Sequence, residues 1–166
     1  MKNTALVLTG LWLGALLASW VAATVNFRTV DRVLGAQQRP ELAQRLEPVA
    51  PEAQRQALRH LASEINRWIF RWWSIAQLAL GLLLVALCWP RAGAARTLVA
   101  AGLVIVLAQL ALVRPIVDLG RSIDFLPRPL PPELGRRFGL LHAAFVIGDL
   151  AKAVLLTVSA WLLGRR

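Results

Sequence analysis

The chain has 166 residues, a formal net charge of +10, 57% hydrophobic residues and a mean hydropathy of +0.57. This apolar composition, with long runs free of charge, excludes an ordinary soluble domain and predicts an integral membrane protein. The positive charge does not indicate a nucleic-acid binder, because the basic residues form no soluble binding motif and fit interfacial anchors better. A single cysteine, Cys88, excludes an internal disulfide and a CxxC redox or metal site.

Four apolar runs are each long enough to cross a bilayer, which takes about 20 residues. They cover residues 4–27, 68–89, 95–118 and 137–164. The first run follows a basic start, as a signal peptide does, but it is longer than the roughly 7–15 apolar residues of such a peptide, so we expect an uncleaved span. Small residues recur at every fourth position of this run and predict a face on which another helix packs closely. They are Gly10, Gly14, Ala18 and Ala22.

Two polar connections, residues 28–66 and 119–136, follow the first and third spans, and prolines interrupt both of them. From Pro51 onward, apolar residues keep the alternating spacing of three and four that is typical of an amphipathic helix. We expect this segment to lie on the membrane surface or to run straight into the second span. Residues 90–94, between the second and third spans, are too few for anything but an antiparallel helix pair.

These elements predict one all-α membrane domain over residues 1–166, an antiparallel four-helix bundle with an amphipathic interfacial segment between the first and second spans. Both termini then lie on one side of the membrane, here called side A, and both long connections lie on the other, side B. The positive-inside rule predicts that side B, which holds most of the Lys and Arg, is cytoplasmic and that the termini are outside. The membrane that we expect is a bacterial inner membrane. Tryptophans near the span ends fit aromatic belts: Trp20, Trp68, Trp72 and Trp73 at side B, Trp89 and Trp161 at side A, with only Trp12 in the middle of a span.

The last span carries three ionisable residues, His142, Asp149 and Lys152. A charge at the centre of a span costs about 3 kcal/mol on insertion scales, so such residues usually pair, face the bundle interior or line a polar path. His142 and Asp149 are two turns apart on one helix face, and Lys152 follows one turn later. Further charged residues fall near the side-B end of the bundle: Arg28 and Arg114 beside this column, and Asp31, Arg32, Arg71 and Asp118 at the interface.

Two interpretations of this column stay open. Asp149 and Lys152 can neutralise each other, with help from Ser19 or Gln109 on neighbouring spans, and only fix the helix packing. Alternatively, the column is a half-channel or pocket that opens to side B, is closed by the Asp149/Lys152 pair, and relays protons or holds a small anion. The residues that would line this opening are Arg28, Arg114 and His142.

The chain shows no pattern typical of an enzyme or of a cofactor site. A haem held by His60 and His142 is disfavoured, because His60 precedes the second span and the two residues differ in depth by more than about 10 Å. No His/Cys cluster, HExxH motif, glycine-rich phosphate loop or Ser/His/Asp arrangement is present. The sequence therefore predicts a protein without catalytic residues, metal or cofactor.

Short motifs in three of the four spans match a known pattern. Phe138, Gly139 and His142, followed by Asp149 and Leu150, stand at the spacing of an F-G-x-x-H-G motif with a later Asn-Leu. Through these residues the chain resembles the transmembrane protein 205-like family, four-span membrane proteins with a domain of unknown function. The upstream matches are Phe27-Arg28 with Asp31-Arg32, and Pro115, which follows Arg114 where the family has an acidic residue.

The last span departs from that motif at two positions. Ala143 replaces the motif's Gly, and Asp149 replaces its Asn, with Lys152 as the expected compensation for the added charge. The resemblance implies the four-span architecture but no reaction.

Two functions follow as hypotheses. The first is a non-enzymatic membrane protein whose polar intramembrane site serves the passage of a small molecule, an ion or protons. The second is an accessory or assembly subunit of a larger membrane complex, which docks through residues 41–59. Under both, the expected partners are the lipid bilayer and either further copies of the chain or a larger complex, and not nucleic acid.

Overall fold

The computed structural model describes residues 2–35, 39–90, 93–127 and 129–165. Within these ranges the chain is helical and contains no strand, so the predicted all-α fold class is confirmed. The helices are α1 (Lys2–Val33), α2 (Pro40–Leu46), α3 (Pro51–Cys88), α4 (Ala94–Ile123) and α5 (Pro132–Arg165).

Local sequence explains where the helices begin. α2, α3 and α5 each start with a proline followed by a glutamate, because proline lacks the N–H that a first turn leaves unpaired and the acid complements the helix dipole. α4 starts after Gly93, whose φ of 144° is a backbone conformation that glycine adopts readily. The Gly93 carbonyl accepts hydrogen bonds from the backbone amides of Arg96 and Thr97, and these bonds close the first turn of α4.

The four long helices form a closed ring. α1 packs against α3 and α5, and α4 packs against the same two helices, while consecutive long helices run in opposite directions. All four are long and apolar enough to cross a membrane. The chain is therefore a multi-pass membrane protein with the predicted antiparallel four-helix bundle.

The helices are longer than the bilayer is thick. α3 has 38 residues, which is about 57 Å at 1.5 Å per residue against a hydrocarbon core of roughly 30 Å. The amphipathic segment after Pro51 is the first half of this helix, so it runs straight into the second span instead of forming a separate surface helix. α4 likewise continues to Ile123, beyond the predicted end of the third span at Asp118.

Side chains divide into a lipid-facing shell and a central core. Large apolar residues such as Val7, Val104 and Ile147 are exposed on the outside of the bundle, as expected where acyl chains cover them. The apolar core is built mainly from Trp12, Leu16, Leu84, Val99, Val106, Leu156 and Leu163. Polar side chains are buried among them, and these form the candidate site.

The face of α1 that enters the bundle differs from the predicted one. Its buried residues are Ala5, Thr9, Trp12 and Leu16, spaced at four, three and four. Gly10, Gly14 and Ala18 face outward, and a Cβ at either glycine would meet no atom within 4 Å. Gly10, Gly14 and Ala18 therefore stay outside the bundle, and Ala22 is half-buried. Trp12 and Leu16 enter the bundle instead, because their larger side chains bury more apolar surface.

Candidate functional site

The buried face of α5 carries two charges. Its buried residues follow one another at spacings of four and three, which keeps them on one stripe of the helix. They are Phe145, Asp149, Lys152, Leu156, Ser159 and Leu163. Asp149 is 5% exposed and Lys152 is 0% exposed, so both ionisable side chains lie inside the bundle.

The Asp149 carboxylate is the centre of a network of hydrogen bonds. Lys152 Nζ lies 2.8 Å from Asp149 Oδ1 and forms an ion pair within α5. Gln109 Nε2, from α4, donates to the same oxygen at 3.0 Å and to the Phe145 carbonyl at 2.8 Å. Trp20 Nε1, from α1, donates to Asp149 Oδ2 at 3.1 Å. Both carboxylate oxygens therefore have donors from outside their own helix.

Lys152 reaches the fourth helix. Its ammonium donates to Gln77 Oε1 on α3, and Trp12 Nε1 of α1 donates to the same oxygen at 3.3 Å. We call this network the polar core, and its members are Trp12, Trp20, Gln77, Gln109, Asp149 and Lys152. Each of the four long helices contributes at least one of them, so the polar core links the whole ring.

Two glycines make room for the polar core. A Cβ at Gly148 would lie 2.8 Å from Gln109 Nε2 and 3.2 Å from Ile105 Cγ2. A Cβ at Gly81 would lie 2.9 Å from Leu103 Cδ1 and 3.1 Å from the Trp12 ring. The missing side chains let Gln109 and Trp12 approach the neighbouring helices closely enough to reach their partners.

One acceptor of the polar core is unused. Gln109 is 4% exposed, and its Oε1 has no hydrogen-bond partner among the described residues. Its amide nitrogen already donates to two oxygens, which fixes the orientation of the side chain. A buried oxygen without a donor beside an ion pair is a place where one more donor group would be favourable.

The structure does not bring the predicted lining residues to this site. His142 is exposed and stacks on Phe138 of its own helix, with ring centroids 6.1 Å apart. Arg28 is exposed, and Arg114 is 92% exposed and lies 3.6 Å from Asp118, one turn along α4. The predicted half-channel is therefore not formed by these residues.

A contact between two aromatic rings separates the polar core from the predicted lining residues. Phe145 lies one turn from Asp149 toward side B, and its ring is 4.3 Å from that of Phe70 on α3. This pair lies between the polar core and side B. His142 is a further turn out and does not enter the bundle. The interfacial residues also stay apart from the core: Asp31 pairs with Arg59 at 3.3 Å, and Arg32 and Arg71 are exposed.

A second group of charges lies at the side-B end of α3 and α4. Arg67 Nη2 lies 2.7 Å from both carboxylate oxygens of Asp124, and Arg67 Nη1 donates to Glu64. His60 Nδ1 is 2.8 Å from Asp124 Oδ2, and Arg121 contacts Glu64 at 3.4 Å. We call these five residues the side-B cluster. It connects the extension of α3 to the end of α4.

The side-B cluster contains three potential metal ligands. Ligand atoms of His60, Glu64 and Asp124 lie within 4.8 Å of one another. Both carboxylates already accept hydrogen bonds from Arg67, whose guanidinium supplies the positive charge that a cation would bring. A hydrogen bond from Arg121 lowers the pKa of Glu64, which lies outside the apolar part of α3. The side-B cluster is therefore an ion-pair network in which arginine side chains neutralise both carboxylates.

Sequence reasoning missed three members of the polar core. Gln77 is an amide inside an apolar run, which is the signal that could have identified it. Trp12 lies in the middle of a span, and Trp20 has the sequence position of an aromatic-belt residue, although its indole donates to Asp149.

Comparisons with protein-family models, with curated proteins and with solved structures find no match. The fold and the site together define a structural class: a multi-pass membrane protein with an ion pair in the centre of its four-helix bundle.

Proposed function

We propose that this chain is a non-enzymatic membrane protein and acts as an accessory or assembly subunit of a larger membrane complex. The main support for this proposal is that the two charged groups of the polar core are buried and bonded within the bundle. Asp149 and Lys152 are buried, paired at 2.8 Å, and hydrogen-bonded by side chains from the other three long helices. Such a network fixes the helices relative to one another and gives a rigid body that a partner can recognise.

A passage function has less support from this geometry. A relay inside a membrane needs a polar path to water on at least one side. The residues that would open one, Arg28, Arg114 and His142, are exposed on the outside, and the Phe70/Phe145 pair lies between Asp149 and side B. The polar core therefore fits a lock between helices better than a conduit.

The docking surface of the subunit lies in the segment 41–59 on side B, and its central part is α2 with the residues up to 49. α2 has no buried residue, and it is held through Gln54, which donates to the carbonyls of Leu46 and Val49. Val49 is exposed beside charged residues of both signs. A surface helix with only partly buried residues gains most from a partner that covers it.

Native mass spectrometry tests the proposal on tagged protein extracted in mild detergent from its own membrane. We expect a discrete heteromeric mass for the full chain and loss of the partner when residues 40–49 are replaced by a Gly/Ser linker of equal length. As a matched control, the exposed pair Arg28→Gln/Arg71→Gln should keep the partner. A bare monomer, or a complex that survives the replacement, would reject the docking surface.

A second candidate function is proton or small-cation uptake at Asp149, which the unused Gln109 Oε1 favours. A protonated donor at this position would donate hydrogen bonds to both Gln109 Oε1 and the Asp149 carboxylate. Protein in liposomes with a trapped pH-sensitive dye would then carry protons, and Asp149→Asn would abolish the flux while the variant stays folded. Equal flux in both proteins would exclude it.

The proposal also includes the orientation of the chain in the membrane and its family membership. The excess of Lys and Arg on side B supports a cytoplasmic side B with both termini outside, in a bacterial inner membrane. A reporter enzyme that is active only in the cytoplasm, fused after Arg166, tests this: activity would reverse the orientation. Membership of the transmembrane protein 205-like family is supported by Phe138, Gly139 and His142, which share one end of α5.

A further inference from the structure

A groove of about 410 Å³ opens on the outside of the bundle where α4 and α5 meet near side B. Its lining residues are Pro115 from α4 and Arg136, Arg137, Leu140 and Leu141 from α5. It lies on the surface and shares no residue with the polar core or with the segment 41–59. What it binds is therefore independent of the proposed function.

The groove carries positive charge that no described acidic side chain neutralises. Arg136 and Arg137 are exposed, and no carboxylate among the described residues lies within ion-pair distance of either guanidinium. Glu133, one turn earlier on α5, forms no ion pair with them, and no lining residue is acidic. The arginines of the side-B cluster, in contrast, are all paired. Two unpaired guanidinium groups that line one groove suit a phosphate, to which each can donate paired hydrogen bonds.

The rest of the lining is apolar and arranged by depth. Leu140 and Leu141 follow the two arginines by four residues, so they lie on the same faces of α5 and about 6 Å deeper in the membrane. Leu140 is exposed, and Pro115 of α4 lines the same groove. Proline carries no N–H, so this wall offers a polar ligand no backbone donor. The groove is thus charged toward the membrane surface and apolar toward the bilayer centre.

We propose that this groove binds an anionic phospholipid, with its phosphate on Arg136 and Arg137 and the start of an acyl chain against Leu140, Leu141 and Pro115. The polarity of the groove runs along the bilayer normal in the same sense as that of a lipid in the side-B leaflet. Basic pockets between spanning helices are known to hold such headgroups. Neither a soluble anion nor a polar peptide would use the deeper apolar half.

Native mass spectrometry with lipid titrations tests the site on the purified full chain. Phosphatidylglycerol should bind as a single retained adduct, and phosphatidylcholine should not. Arg136→Gln/Arg137→Gln should weaken phosphatidylglycerol binding roughly thirtyfold, since each arginine near a membrane surface contributes about a factor of five. Arg28→Gln/Arg71→Gln removes the same charge from exposed positions outside the groove and should bind phosphatidylglycerol like the original chain.

Two further measurements distinguish between the possible occupants of the groove. Leu140→Gln should weaken phosphatidylglycerol binding, and inorganic phosphate should not displace the lipid. Displacement by inorganic phosphate would identify a soluble-anion site and overturn the proposal. Equal weakening by the two double variants, or binding of phosphatidylcholine as strongly as phosphatidylglycerol, would overturn it as well. All five substituted side chains are exposed, so an unchanged elution volume on size exclusion is expected for each of the three variants.

Discussion

The polar core and the side-B cluster both join helices through charged side chains, but they are built from different partners. In the polar core, one ion pair is surrounded by neutral groups: two glutamines and two tryptophan indoles. In the side-B cluster, two arginines, two carboxylates and a histidine contact one another directly. The first is buried at the centre of the bundle, whereas the second lies where water reaches several of its members.

This difference shows what burial demands of an ion pair. A charge that leaves water loses several kcal/mol of hydration, and a single partner restores this only if the remaining hydrogen-bonding positions are also used. Asp149 and Lys152 meet that demand with amides and indoles, which add hydrogen bonds without adding charge. At side B water solvates what is left over, so charged groups can accumulate there without neutral partners.

Breaking the ion pair on one side should have the largest effect. Lys152→Met leaves the Asp149 carboxylate buried with only Gln109 and Trp20 as donors. We expect the free energy of unfolding to fall by about 3–5 kcal/mol, as is typical when one partner of a buried pair is removed. Titration of the detergent-solubilised protein with a denaturing detergent, followed by circular dichroism, measures this.

The neutral double variant sharpens the test. Asp149→Asn/Lys152→Met removes both charges and keeps an amide between Gln109 and Trp20. It should recover most of the lost stability, since replacing a buried ion pair by uncharged groups often changes the free energy of unfolding little. A double variant that is less stable than Lys152→Met, or a single variant that costs under about 1 kcal/mol, would contradict this account of the polar core.

Space for the polar core can be removed without touching a charge. Gly148→Ala pushes a methyl group against Gln109, which can move only by giving up its bonds to Asp149 and to the Phe145 carbonyl. We expect a loss of about 1–3 kcal/mol, the usual cost of inserting a methyl group into a packed core. The same denaturing titration measures it.

Gly14→Ala is the matched control, because its Cβ meets no atom within 4 Å. It should leave the free energy of unfolding unchanged or raise it by up to about 1 kcal/mol through helix propensity. Equal losses at Gly14 and Gly148 would mean that the effect does not come from the polar core.

The fold was predictable because its signals are long and redundant. Each span is an apolar run of more than about 20 residues, and the tight connection at 90–94 leaves one orientation for its two neighbours. Asp149 and Lys152 were predictable for a related reason, since a charge in an apolar run has few alternatives to facing inward. Gln109 was among the partners considered for them.

The rest of the site depends on how each helix is rotated, which composition does not fix. His142, Arg114 and Arg28 were grouped by depth alone, and the structure places all three outside the bundle. Trp20 has the sequence position of a belt residue, yet its indole reaches Asp149. Sequence can place a residue at a height along its helix, but only packing decides which neighbour it meets.

The smallest effects are expected at side B, where the side-B cluster should differ from the separate ion pair of Arg59 and Asp31. Arg67 is 12% exposed and bonds to both oxygens of Asp124, so Arg67→Gln should cost about 1–2 kcal/mol of unfolding free energy. Arg59, which is 47% exposed and reaches only Asp31, should cost less than about 0.5 kcal/mol when changed to Gln. Raising NaCl from 0.1 to 1 M shortens the screening length from about 10 to about 3 Å, which should abolish the Arg59 effect but preserve much of the Arg67 effect. If salt removed both equally, the side-B cluster would be ordinary surface charge, and its contrast with the polar core would be one of depth alone.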